Sequence, residues 1–217
     1  MTWDWEYVRE MLPQLIVGVW YSLLVTFASA LIALVGGLFL AILESISTTI
    51  GRMFVRFLLE MFRGVPVLVF LYFGFYVLPE VGVKLPALLV GIAVLGVVYA
   101  AFCSEVYRGS LMTIPNELRD ACVALSLSRY VTWRSVLIPL MIRRSVPALI
   151  NYVLVLLRLT AWLFAIGAPV LMYQADLVAE QSYRYLEPYT VTGIIYMALN
   201  LPFIYILSRL KEKHAQR

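Results

Sequence analysis

Histidine, cysteine and charge are all scarce in this chain, and each scarcity removes a class of function. His214 is the single histidine, and Cys103 and Cys122 stand at no spacing that metal ligands use. Zinc, haem and iron–sulfur sites are therefore not expected, nor is a disulfide framework. Charged residues make up 14% of the 217 and hydrophobic ones 63%, with a mean hydropathy of +0.89. Soluble globular domains are about half apolar and a quarter charged, so this is not one. A Gly-x-x-x-x-Gly-Lys-Ser/Thr phosphate loop is also missing. The spans described below hold no converging His, Asp, Cys or Ser–His pairs, which disfavours an intramembrane enzyme. They hold no mid-span carboxylate and show no inverted repeat, the usual means of ion coupling in a secondary transporter or channel for small polar solutes, which stands as the alternative reading.

Long apolar runs fill the rest of the chain. A bilayer-crossing helix needs about 20 residues, and the period-2 alternation of barrel strands is absent. The chain reads as an all-α polytopic membrane protein with one transmembrane domain over 1–217. Spans are expected at about 15–43, 57–78, 85–104, 146–166 and 189–207, with a polar cytoplasmic loop at 105–139. The start, Met1-Thr2-Trp3-Asp4-Trp5-Glu6, is acidic and aromatic where a signal peptide is basic, so no cleavable signal is expected. Trp3 to Met11 suits a short helix lying in the headgroup zone.

Within the first span, Ser29, Ala33, Gly37 and Ala41 recur every fourth position. Such a stripe of small residues lets a second helix approach closely where lipid supplies no hydrophobic drive for association. In the second span, Arg63-Gly64-Val65-Pro66 predicts a bend, because Pro66 lacks an amide donor. Leu171 to Tyr185 reads as a short surface helix. Lysine and arginine bias sets the orientation. With the N-terminus outside and the C-terminus cytoplasmic, Arg52, Arg56, the arginines of the polar loop and the tail residues Arg209, Lys211, Lys213 and Arg217 all lie inside. Only Arg9, Lys84 and Arg184 then lie outside. The formal charge of +4 sits mainly at span ends and implies no nucleic-acid partner.

The polar loop is the one long hydrophilic stretch. Leu118, Ala121, Cys122 and Leu125 follow the i, i+3, i+4, i+7 spacing of a helix face that packs inward. Asn116 is placed to cap that helix, Pro115 to end what precedes it, and Ser128 to cap a second helix after the corner at Ser126. Glu105 and Arg108 are one turn apart, as an ion pair or as a latch between loop and spans. In the fourth span Arg158 carries a charge at membrane depth, so it is expected to face the bundle or a wet cavity. Asn151 and Thr160 join it as candidates for lining a solute pathway, with interhelical hydrogen bonding as the other use of such residues.

Asp120-Ala121-Cys122, Ser126 and Val136-Leu137-Ile138-Pro139 hold the spacing of Glu-Ala-Ala, Gly and Ile-x-Leu-Pro. That pattern resembles the cytoplasmic loop of permease subunits of bacterial ABC importers. Glu105-Val106-Tyr107-Arg108-Gly109, Ile114-Pro115, Arg63-Gly64-Val65-Pro66 and Leu156-Leu157-Arg158-Leu159-Thr160 are similar to the polar amino-acid members, the histidine, glutamine and arginine type. The resemblance covers nearly the whole chain. It implies the type I importer permease fold with five transmembrane helices in the bacterial inner membrane. It also implies two ATPase subunits that carry ATP and Mg, a second permease and an extracytoplasmic solute-binding protein, with no cofactor on this chain. Under it, Asn116, Asp120, Ala121, Cys122, Leu125, Ser126 and Arg129 meet the ATPase, and the cargo is a polar amino acid or similar zwitterion. The chain departs from the family pattern at Ser126, where glycine is usual. It departs again at Arg158-Leu159-Thr160-Ala161, where the family has Lys-Asp-Thr-Ser. Loss of that carboxylate and hydroxyl fits one partner of an asymmetric pair, a sibling permease rather than a second copy.

Overall fold

The computed structural model describes residues 3–215, and side chains up to Tyr205 except that of Phe203. The basic tail and His214 therefore lie outside the described side chains. Every regular element among the described residues is helical. In chain order they are α1 (Trp5–Ile46), α2 (Thr49–Gly64), α3 (Val67–Val81), α4 (Ala87–Met112), α5 (Asn116–Ala124), α6 (Arg129–Ile166), α7 (Leu171–Ser182) and α8 (Leu186–Ala215). Among the described residues, α1, α4 and α6 are long and apolar enough to cross a bilayer, and the bent pair α2–α3 makes up to four.

α1 begins where Asp4 caps it, Oδ1 accepting from the amides of Glu6 at 3.0 Å and Tyr7 at 3.2 Å. It then runs 42 residues without a break, about 63 Å at the usual rise. The separate interfacial helix expected at Trp3–Met11 is not formed. Asp4 caps the helix at its start and the helix continues through Pro13 into the uncharged run, so Trp5–Met11 is the beginning of α1. Ser47 ends the helix, its hydroxyl donating to the Leu43 carbonyl, and Thr48 caps α2.

α1 and α4 form the tightest seam in the fold. The small-residue stripe of α1 lies in it, with Ser29, Ala33 and Ala41 at most 1% exposed. A methyl added to Gly37 would sit 2.6 Å from Cys103 Cβ and 2.9 Å from the Ala100 carbonyl oxygen, so only glycine fits that contact. Ser29 Oγ donates across the seam to the Ile92 carbonyl at 3.2 Å. The opposite side of α1 exposes Ile16, Trp20, Phe27, Leu31 and Phe39. Apolar surface of this kind belongs against hydrocarbon or another membrane subunit.

α2 and α3 meet at the bend expected before Pro66, and the angle between them is 97°. α2 packs through Val55 and Leu59 on α1 and α4. Two proline-linked irregularities follow. Phe73–Val77 and Thr132–Leu137 are π-helical turns, and Pro79 and Pro139 come two residues after them. A proline cannot donate to the carbonyl four residues back and crowds it, and widening the preceding turn relieves both problems.

α7 is not a surface helix on both sides, as its charges implied. Leu171, Ala175, Val178 and Ala179 are buried against α1 and α8. Its ends are tied to α1: the Leu171 amide donates to Ser22 Oγ at 2.9 Å, and Tyr7 donates its hydroxyl to Ser182 Oγ at 2.6 Å. Arg184 pairs with Asp4 at 2.9 Å and holds that carboxyl below its ordinary range, helped by the capping amide of Tyr7.

Candidate functional site

The polar stretch 105–139 is mostly continuous with the spans. Glu105 to Met112 completes α4, and Arg129 onward is already α6, so only α5 and its two corners stand apart. α5 starts after Pro115. Asn116 is its first helical residue, and its side chain makes no cap, contrary to the expectation from spacing. Proline supplies the stop by itself, because it biases the residue before it away from helix.

The far corner of α5 is built by backbone bonds. The Ser126 amide donates to the Val123 carbonyl at 2.8 Å and the Leu127 amide to the Cys122 carbonyl at 3.0 Å. This paired closure needs a left-handed residue at its centre, and Ser126 takes it with φ +52°. A residue with a Cβ is strained there. Ser128 then caps the start of α6, its Oγ accepting from the Val131 amide at 3.3 Å.

Of the four residues spaced to face inward on α5, two do. Cys122 is buried and Leu118 packs against the main core. Ala121 is exposed, and Leu125 is 72% exposed because it already belongs to the corner, past the last helical turn. Val123 (77%) and Tyr130 (66%) are exposed beside it, with Asp120 and Arg129 alongside. The corner thus leaves large apolar side chains in the open with charges around them, an exposed patch of the kind that interaction surfaces carry.

Three sets of contacts tie α2, α4, α5 and α6 together at this end, one of them from α5 itself, and spacing revealed only part of one. Glu105 hydrogen-bonds and ion-pairs with Arg108 and also pairs with Arg63 of α2 at 3.3 Å. It thus joins α4 to the residue just before the 97° bend. Arg144 of α6 donates to the carbonyl and hydroxyl of Thr113, where α4 ends, and Ser145 Oγ donates to Ser110 Oγ at 2.9 Å. Arg119 of α5 donates to the Leu111 carbonyl at 3.1 Å. A further pair, Glu44 with Arg56 at 2.6 Å, buries the carboxylate that ends the uncharged run of α1. Its signal in the sequence is a lone acid at a span end with arginines one loop away.

The pathway candidates separate. Asn151 and Arg158 are two turns apart on one face of α6 and both are exposed, as is Trp162 one turn further. Arg158 meets no carboxylate among the described residues; its Nε donates to the Leu154 carbonyl at 3.4 Å. Thr160 is fully buried instead, donating to the Leu157 carbonyl at 2.7 Å and lying 3.4 Å from the Tyr196 hydroxyl of α8. No cluster of His, Cys, Asp or Glu among the described residues is arranged to hold a metal.

A broken helical bundle with a short exposed helix between two spans is the architecture of a transporter's membrane subunit. Residues 34–214 match the family model described as binding-protein-dependent transport system inner membrane component, and the chain belongs to that family. Members are inner-membrane subunits of transport systems and not the ATPase. It is 32% identical over 205 residues to a Sinorhizobium fredii protein named as a probable amino-acid ABC transporter permease, y4tG, covering 92% of this chain and 89% of the other. It is 27% identical to the glutamine transport system permease protein GlnP of Escherichia coli, with 98% of each chain covered. A solved amino acid ABC transporter with histidines superimposes at a TM-score of 0.90 and 30% identity, over 98% of this chain and 100% of that one. The fold alone is shared with the MetNI methionine ABC transporter, at a TM-score of 0.74 and 23% identity.

Proposed function

We propose that this chain is the membrane-spanning permease of an ATP-driven, binding-protein-dependent importer for a polar amino acid or similar zwitterion. The observation that carries it is the α5 corner. Val123 and Leu125 stand exposed on α5 and its corner, Tyr130 stands exposed just beyond at the start of α6, and α5 is hydrogen-bonded through Arg119 to the end of α4, within a fold matched at 0.90 by an amino acid ABC transporter. An ATPase dimer receives the knob formed by Asn116, Asp120, Ala121, Cys122, Leu125, Ser126 and Arg129. Closure of that dimer on ATP moves the knob, and Glu105 with Arg108 and Arg63 passes the motion to α2 and α4.

The chain crosses the membrane five times, α2–α3 and α8 included, with the N-terminus outside and the C-terminus in the cytoplasm. Positive charge is concentrated at the α5 end, which supports this orientation. The exposed face of α6 bearing Asn151 and Arg158 looks across the solute pathway to a second permease, and an extracytoplasmic binding protein delivers the solute. Leu159 and Ala161 leave this chain short of polar groups there, which favours a sibling over a second copy.

The test is purification of the tagged chain from its native membrane and reconstitution with what accompanies it. Recovery of an ATPase and a second permease, with uptake that requires both ATP and the binding protein, is the expected result. A chain that purifies alone and moves solute without ATP would falsify the proposal.

A further inference from the structure

Beneath the α5 corner, two adjoining cavities of about 300 Å³ and 700 Å³ open between the end of α1, the start of α2 and the start of α6. Arg52, Arg119, Trp133 and Leu137 line both. Arg56 and Arg108 add to the smaller and Arg129 to the larger, and among the described residues the only carboxylate in either lining is Glu44. The ion pairs do not balance this charge. Glu44 is taken by Arg56 and Glu105 by Arg108 and Arg63. Among the described residues, Arg52 donates only to the carbonyls of Glu44 and Ser47, and Arg119 only to that of Leu111. Neither has a carboxylate partner among the described residues, nor has Arg129. Guanidinium groups left with free donors around one hollow are a receptor for an anion with several acceptor oxygens, above all a phosphate.

The surroundings say which phosphate. The cavities are level with the ends of two spanning helices, Ile46 of α1 and Met112 of α4. Their wall holds an indole, Trp133, the side chain that favours the headgroup zone. Arg52 and Arg56 form one stripe of α2, while Ile50, Met53, Phe54 and Phe57 of the same helix stand exposed. A helix that offers arginines to a cavity and bare apolar side chains to the outside suits a molecule with a charged head and hydrocarbon tails. We infer that Arg52 and Arg119 bind the headgroup phosphate of an anionic phospholipid of the cytoplasmic leaflet, seated between the α1–α2 corner and α5. This rests on the orientation proposed above. The lipid neutralises the arginines and braces the underside of the ATPase-docking knob.

The test uses the assembled transporter, with its ATPase subunits, in nanodiscs of phosphatidylcholine with phosphatidylglycerol. Phosphatidylglycerol retained after extraction into mild detergent is counted by native mass spectrometry. Retention by the natural chain and about thirtyfold weaker retention by the R52Q/R119Q pair are expected, with K84Q, at the opposite end, unchanged. Should the double variant fail to assemble, each single variant is read instead, at about fivefold. Equal retention by natural and variant chains overturns the inference. So does displacement of the lipid by inorganic phosphate at equal concentration, which would assign the cavity to a soluble anion. Lipid found only when the ATPase is absent also overturns it, since an acidic side chain of that subunit then fills the site. A terminal reporter that placed the C-terminus outside would instead remove the orientation, independently of whether lipid binds.

Discussion

The α1–α4 seam and the α5 corner use opposite rules. In the seam, small side chains are buried so that two backbones nearly touch at Gly37, and the larger Ile32 of α1 fits over Gly96 of α4. At the corner, large apolar side chains are left in the open, and one serine is held in a left-handed conformation that does not suit it. The buried hydroxyls of these two helices are satisfied within the pair, Ser29 across the seam and Thr26 and Ser104 within their own helices. The corner is incomplete by itself. Under the proposed function its exposed residues gain contacts when another subunit arrives, so a locally unfavourable place in the fold is the place proposed to dock.

Breaking the seam should produce the largest effect. Gly37→Val would drive side-chain carbons into Cys103 and the Ala100 carbonyl, and a cost of about 2–3 kcal/mol follows from overpacking. Thermal unfolding in detergent measures it. Gly109→Ala in the same partner helix, where an added methyl meets nothing within 4 Å, should be neutral or stabilising by up to about 1 kcal/mol. A Gly37→Val protein as stable as the natural one would mean the seam is looser than its distances imply.

The corner should respond the other way, losing its partner and keeping its fold. Replacing Val123 and Leu125 by aspartate removes exposed apolar contacts and puts charge at the docking surface. Recovery of the ATPase in a pull-down should fall by at least about tenfold, taking roughly 2 kcal/mol as the worth of an interface hot spot. The unfolding temperature should hardly move, since surface changes are usually within about 0.5 kcal/mol. A parallel loss of stability and partner would show that these side chains are structural after all.

Much of this contrast is legible in the residues alone, for physical reasons. Period and length mark helices, a four-residue repeat of Ser29, Ala33, Gly37 and Ala41 marks a close seam, and Pro66 and Pro115 mark breaks, because each depends on local geometry. Misreadings arise where the decision is tertiary. Asn116 is a good capping residue that the proline before it makes unnecessary. Leu125 fits the helical face by spacing, but the helix ends before it. The Glu44–Arg56 pair depends on how the chain turns at Ser47 and Thr48 between α1 and α2, and the Glu105–Arg63 pair on how α2 lies against α4, which no spacing rule contains. Thr160 is set apart from Arg158 and Asn151 in the same way, by the tight turn of helix over Thr160–Ile166 that swings its hydroxyl toward α8.

Relief of the strain at the corner is a smaller and sharper probe. Ser126→Gly gives the left-handed position the residue that occupies it freely, and should stabilise the chain by about 0.5–1 kcal/mol, part of the gain being offset by the freer unfolded chain. If docking requires the serine for anything beyond shape, ATPase recovery will drop although stability rises. If the position is purely geometric, both will be maintained or improve together, and the corner will be as replaceable in this one respect as the seam is not.

The smallest effect lies at the other end of α1, where Asp4 both caps the helix and pairs with Arg184. Its pKa is lowered in the fold, chiefly by the Arg184 hydrogen bond. The stabilisation is therefore present above the unfolded carboxyl's pKa of about 4 and is lost as pH falls through the folded value. From pH 8 to about 5, protection of the Tyr7 amide against hydrogen exchange should be flat, and it should weaken only in stronger acid. Asp4→Asn separates the two roles of the side chain, because asparagine caps a helix as well as aspartate but cannot pair with arginine. The variant should keep its cap and lose the acid dependence. An unchanged acid dependence in that variant would place the titrating group elsewhere and leave Arg184 without a role in holding α1 to α7.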